Sequence, residues 1–171
     1  MTMKIYLTNL GKYNEGELLG EWVTLPITEE ELEAVFERIG INEEYEEYFI
    51  TDYETDIDGL KIGEYDNLEE LNELAETLEN MSEEELEVIG VMLEDGCEFD
   101  EAIEKTENGD YRIYYNCDDM SDVAYKIVEE DGLLNNVPET VARYFDYEAY
   151  GRDLDIEGKF YSVGDNMIEI Y

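Results

Sequence analysis

The sequence has no histidine, only two cysteines, two prolines and one tryptophan, and just 10 Lys plus Arg among 171 residues. Each scarcity removes a class of function. Without histidine the usual general base and triad member are missing, and no GxSxG turn, glycine-rich phosphate loop or HExxH helix stands in for them. Cys97 and Cys117 fall outside any CxxC arrangement, and with no histidine to complete a ligand set this argues against zinc and for two reduced thiols. So few cations disfavour direct binding to DNA, RNA or an anionic membrane, because affinity for phosphates comes from Lys and Arg releasing counterions. No apolar run approaches a membrane span, and the start MTMKIYLTNL lacks a charged region followed by an apolar one, so a cytoplasmic chain is expected. The reading is of a protein that is not an enzyme and uses no metal or cofactor.

What the sequence has in excess is negative charge. It carries 49 Asp plus Glu, for a formal charge of -39, which favours a basic partner. A compact chain of this length has a radius of gyration of about 15 to 16 Å, so that much like charge on one body is strongly self-repelling. An elongated shape relieves the repulsion. Hydrophobic residues make up 43% of the chain and include 15 Tyr, enough to build several small cores. The expectation is an α+β fold in three small lobes strung along an elongated chain: residues 1–61, 62–104 and 105–171.

In the first lobe Lys4 to Asn9 and Glu21 to Leu25 read as antiparallel strands separated by a glycine-punctuated loop, Gly11 to Gly20. Thr28 followed by Glu31 is a capping box for a helix that buries Leu32, Val35, Phe36 and Ile39 and stops at Gly40. A third strand, about Tyr48 to Tyr53, completes a small sheet with a helix on one face. The second lobe is helical, interrupted at Asn80 to Ser82 and at Asp95 to Gly96, and a polar hinge at Lys105 to Gly109 follows it. In the third lobe Tyr111 to Asn116 is a strand, and Asp118 or Asp119 caps a helix through Val123, Ile127 and Val128 to Gly132. Pro138 opens another helix carrying Val141, Tyr144 and Phe145. Lys159 to Val163 and Met167 to Tyr171 flank Gly164-Asp165-Asn166 as a hairpin. This gives a three-stranded sheet with two or three helices.

The helical stretch Ile62 to Glu104 is the most one-sided, dense in Asp and Glu with no Lys or Arg. Leu68, Leu71, Ala75 and Leu78 recur at helical spacing, as do Leu86, Ile89 and Leu93, so an apolar stripe faces inward while acids such as Glu69, Glu70, Glu73 and Glu76 line the other face. Solvated helices normally mix Lys with Glu and gain from i,i+4 pairs; here the like charges only cost stability, which points to a role outside folding. Acids three or four residues apart rise about 4.5 to 6 Å along a helix, against one phosphate per about 3.4 Å per strand of duplex DNA. The charge densities are comparable. Glu54, Asp56, Asp58 and Gly59 imitate the start of a calcium loop, but Tyr65 stands where a bidentate Glu closes such a site, so the segment reads as an acidic loop. Carboxylate pairs are too abundant to single out an acid–base pair.

Four stretches then carry a resemblance: YLTNLGKYNEGELLGEW at Tyr6 to Trp22, YEEYFITDYE at Tyr45 to Glu54, CDDMSDVA at Cys117 to Ala124 and YFDYEAYGRDLD at Tyr144 to Asp155. Together and in this order they resemble the ArdA antirestriction proteins. The resemblance implies a DNA mimic carried by mobile genetic elements, which occupies the basic DNA-binding groove in the methyltransferase core of type I restriction-modification enzymes. It also implies a three-lobed, elongated homodimer joined through the third lobe. The acids inside the matched motifs are Glu46, Glu47, Asp52, Glu54, Asp118, Asp119, Asp122, Asp146, Glu148, Asp153 and Asp155; with the four helical glutamates they form the candidate partner surface. Arg152 is expected to hold Asp153 or a carboxylate nearby. Tyr144, Phe145, Tyr147 and Tyr150, aromatics with few acids among them, are candidates for the dimer interface. The alternative from another class is an acidic binding module such as a calcium buffer or a chaperone for basic proteins, which calcium calorimetry separates from mimicry.

Overall fold

The structure, a computed structural model, describes residues 2–171; Met1, the first residue of the expected N-terminal lobe, lies outside them. Among the described residues the chain is α+β, as expected, with eight helices and two three-stranded antiparallel sheets. It folds as two compact units, one ending at Leu86 and the other Glu87–Tyr171.

The first unit begins with β1 (Met3–Asn9), a short α1 (Leu10–Asn14) and β2 (Gly20–Leu25), followed by α2 (Glu29–Arg38), β3 (Tyr48–Thr55) and α3 (Leu68–Glu79). The sheet order is β2-β1-β3. Alternation sends Met3, Ile5, Leu7, Val23 and Leu25 inward, all of them 2% exposed or less. At the start of α2 the Thr28 hydroxyl accepts from Glu31 N, and the Glu31 carboxylate accepts from Thr28 N and Oγ1. Val35 and Ile39 are buried, while Leu32 and Phe36 are only half-buried.

The loop expected over Gly11 to Gly20 begins instead as α1. Asn9 Oδ1 accepts from Lys12 N at 2.9 Å, while its buried amide donates to the carbonyls of Ile39 and Gly40, both at 3.1 Å. That cap starts a helical turn despite Gly11. The glycine is there because a Cβ would lie 2.4 Å from the Tyr45 ring.

Helix α4 (Glu83–Glu94) opens with a second capping box, Ser82 with Glu85. The Thr28 hydroxyl bond to Glu31 and the Ser82 backbone bond to Glu85 each hold the carboxylate below its ordinary pKa. Their contribution to stability is therefore complete above the ordinary glutamate range and is lost as pH falls through the lowered values. The expected stripe of Leu86, Ile89 and Leu93 is corrected: Val88, Ile89, Val91 and Met92 are buried, with Leu86 and Leu93 half-buried at the margins. The centre of this helix is apolar nearly all round, and its acids gather at the two ends.

The second unit continues with α5 (Phe99–Asn108), β4 (Tyr111–Tyr114), α6 (Met120–Glu130), α7 (Glu139–Ala142), α8 (Tyr147–Glu157), β5 (Lys159–Val163) and β6 (Asn166–Ile170), with sheet order β4-β6-β5. The expected hinge at Lys105 to Gly109 is the last turn of α5. Its Thr106 is buried and donates to Ala102 O at 2.8 Å, and Gly109, at φ 73°, lets Asp110 N close the helix onto Lys105 O. Helix α7 ends before Tyr144 and Phe145. Helix α8 is the third helix that the sequence reading allows without placing; it packs on α6 through Gly151, where a Cβ would meet Met120 O at 2.3 Å. The hairpin turn is Gly164-Asp165, with Asn166 already paired to Val163. Tyr114, Cys117, Val123, Ile127 and Met167 form a buried core here, packed by Met120, Tyr150, Leu154 and Phe160. Both cysteines are free.

Candidate partner-binding surface

All fifteen candidate acids have exposed side chains, but they are displayed in different ways. On β3 the display depends on a bulge. Tyr6 pairs with Asp52 and Leu7 with Ile50, so Thr51 is the extra residue. Ile50 and Asp52 would share a face in a regular strand; the bulge lets Ile50 go into the core while Asp52 and Glu54 go out. Glu54 is met there by Lys4 at 3.4 Å. Asp52 accepts from Tyr53 N. Glu46 and Glu47 lie exposed in the segment leading into β3.

Helix α3 gathers four of the candidate glutamates on one element. Asn67 caps it, accepting from Glu69 N at 2.8 Å, and Leu68, Leu71, Ala75 and Leu78 are buried as the spacing predicts. Glu69, Glu70, Glu73 and Glu76 point outward, and among the described residues none of them has an ion pair. The salt bridges lie elsewhere: Lys12–Glu15, Arg38–Glu21, Lys105–Glu101, Arg112–Glu130 and Lys159–Asp95, besides Lys4–Glu54. Three of the four α3 glutamates, Glu69, Glu73 and Glu76, share one wall of a cleft of about 640 Å³ that runs between α2 and α3. Its floor is apolar, formed by Ile27, Leu32, Phe36, Tyr48 and Leu68, with the Phe36 and Tyr48 rings 5.0 Å apart. Glu29 stands on the opposite wall. Glu70, one step further round the helix, does not line the cleft.

In the second unit several acids serve the fold as well as the surface. Asp119, not Asp118, caps α6, accepting from Ser121 N and Asp122 N at 2.8 and 3.1 Å. Such a cap is worth about 1 kcal/mol. Asp122 accepts from Asp118 N, and Asp146 caps α8 by accepting from Ala149 N. Glu148, Asp153 and Asp155 are exposed on α8. The expected partner of Arg152 is not found: it makes no ion pair among the described residues, with Asp153 or any other acid.

Of the interface candidates, Tyr144 is 77% exposed. Phe145 instead packs edge-on against Tyr147 and Tyr150, at 5.0 and 5.6 Å, and Tyr147 continues the cluster to Tyr125 at 5.4 Å. Sequence reasoning missed one junction altogether. Asp95, at the end of α4, takes bonds from Lys159 and Tyr161 of β5; these hold its carboxyl low, while burial and the bond to Asp95 push the Tyr161 hydroxyl up to about 12. Residues so distant in sequence leave no local signal of that contact. Among the described residues no cluster of Cys, Asp or Glu suits a metal ion, and no helix is long and apolar enough to cross a membrane.

Fold and surface define a class: a strongly acidic α+β protein with two small sheets whose exposed carboxylates far outnumber the cations available to pair with them. Comparison narrows the class to a family. The family model described as antirestriction protein (ArdA) matches residues 5–169, nearly the whole chain, and the protein belongs to the ArdA antirestriction family. Among curated proteins no significant match is found.

Proposed function

We propose that this antirestriction protein acts as a DNA mimic: it occupies the basic DNA-binding groove in the methyltransferase core of a type I restriction-modification enzyme in the cytoplasm and excludes duplex DNA without catalysis. The observation that carries the reading is the outer face of α3, where Glu69, Glu70, Glu73 and Glu76 stand exposed and unbridged on an ordered helix. A groove lined with Lys and Arg that read the DNA backbone rather than its sequence accepts such a surface whatever its recognition site. Asp52, Glu54, Glu46 and Glu47, with Asp118, Asp122, Glu148, Asp153 and Asp155, extend the charge over both units. The 62–104 segment is the principal mimic of the three proposed lobes. The test is cleavage of unmodified DNA by a purified type I enzyme. Two copies of this chain per enzyme, the amount of one dimer, abolish cleavage, and undiminished cleavage at a large excess contradicts the reading.

The partner-binding form is a homodimer joined through residues 105–171. Support comes from exposed apolar side chains in that segment, where Leu133, Val141, Tyr144 and Ile156 are each at least half exposed. Because Phe145, Tyr147 and Tyr150 already pack within the chain, Tyr144 is the informative position. Light scattering at micromolar concentration gives a dimer for the native chain and a monomer for Tyr144→Glu with unchanged circular dichroism. A native monomer contradicts the assignment.

A further inference from the structure

The cleft between α2 and α3 has a feature that imitation of phosphates does not require. Its wall is anionic, but its floor is apolar, with Leu32, Phe36 and Tyr48 half-buried and Leu68 buried. A DNA backbone offers nothing like that floor, and for a protein whose only task is to display charge it wastes apolar surface. From Leu68 to Glu76 the α3 side extends about 12 Å, the rise of roughly two turns of a facing helix. A volume of about 640 Å³ takes the side chains from one face of such a helix rather than the helix itself.

We propose that this cleft is a docking groove for a basic amphipathic helix of the protein partner, whose apolar side chains enter between α2 and α3 while flanking Lys or Arg meet Glu69, Glu73 and Glu76. Charge complementarity and the apolar floor together select this occupant. Nucleic acid is repelled by the same glutamates, and a second copy of a chain with net charge -39 brings like charge to the wall. A helix laid in a groove by two or three apolar anchors is an ordinary recognition mode, and the acidic rim selects basic sequences among the helices able to use it. The inference rests on the reading that the acidic surface faces a basic protein, and adds that the contact has an apolar part that salt does not screen.

Two synthetic peptides test it on the full-length, ¹⁵N-labelled chain. Both are sixteen-residue helices with four Lys in the same positions; one carries Leu at two positions facing the groove, and the other carries Ser there. The Leu peptide shifts the amide signals of Leu32, Phe36, Tyr48 and Leu68 saturably and binds at least fivefold more tightly than the Ser peptide. Half-molar sodium chloride weakens both peptides and leaves that ratio in place. The Leu peptide's advantage disappears on Leu32→Asn, and Glu73→Gln weakens both peptides. Equal affinities for the two peptides on the native chain overturn the proposal whatever the variants do, and so do shifts that arise on concentrating the protein alone, since these identify a second copy as the occupant. If the Leu peptide seats as described but the chain fails to displace duplex DNA from its target, the docking groove stands and the mimicry reading falls.

Discussion

Added sodium chloride raises the melting temperature of the free protein and weakens its hold on its target. The two effects share one cause. At about 0.01 M ionic strength charges act over roughly 30 Å, so carboxylates repel one another across the whole of either unit; at 0.15 M the range falls to about 8 Å. The salt bridges lost to the same screening are exposed pairs worth about 0 to 1 kcal/mol each, and the cations available for them number only 10 against 49 acids. Relief of repulsion therefore dominates. For a protein of this size each kcal/mol moves the melting temperature by about 2–4 °C, and an increase of roughly 5 °C between 0.01 and 0.5 M is expected by calorimetry. Binding moves the opposite way, falling about tenfold to a hundredfold between 0.05 and 0.2 M salt as steering and charge pairing are screened. A melting temperature that falls steadily with salt means the bridges matter more than the repulsion.

The second expected result separates a functional charge from a structural one. Replacing Glu69, Glu70, Glu73 and Glu76 together by Gln removes like-charge neighbours at i,i+3 and i,i+4, each of which opposes the helix by about 0.2–0.5 kcal/mol. Glu69 and Glu70 lie in the first turn of α3, where the helix dipole favours a carboxylate by about 0.3–1 kcal/mol each, so the two effects offset and the variant melts close to the native chain. It also binds its target at least tenfold more weakly, because four contacts of up to about 1 kcal/mol each are lost and about 1.4 kcal/mol is a factor of ten. Any one of the four replaced alone changes affinity little. Undiminished affinity in a folded variant assigns the helix face to solvent and moves the contact surface elsewhere.

Features written locally were legible in the sequence. The Thr28–Glu31 capping box follows from spacing alone, and the Leu68, Leu71, Ala75 and Leu78 stripe of α3 is buried as its period requires; the Ser82–Glu85 box, equally local, lies where the sequence reading has only an interruption between helices. What escaped was set by partners distant in the chain. The bulge at Thr51 exists only in the pairing of β3 with β1, yet it decides that Asp52 faces out. Gly151 is explained only by α6, whose Met120 carbonyl leaves no room for a Cβ, and that close approach between α6 and α8 has no local signal. Asn9 starts α1 because the carbonyls it also binds come from the end of α2. Polar composition suggested a hinge at Lys105 to Gly109, whereas buried Thr106 satisfies its hydroxyl within the helix and keeps the turn intact. For the surface, composition announced the charge, but only the fold showed that Glu69, Glu73 and Glu76 share a wall above an apolar floor while Glu70 stands apart.

If the acidic surface takes the place of DNA, the two compete for one groove on the target. A fluorescent duplex bound to the purified methyltransferase core is titrated with this chain at low salt, and anisotropy is followed together with native gel mobility. The expected result is that the duplex leaves stoichiometrically as a protein–protein complex forms, with the Gln-substituted α3 variant requiring at least tenfold more. A ternary complex that keeps its duplex while this chain is bound contradicts it.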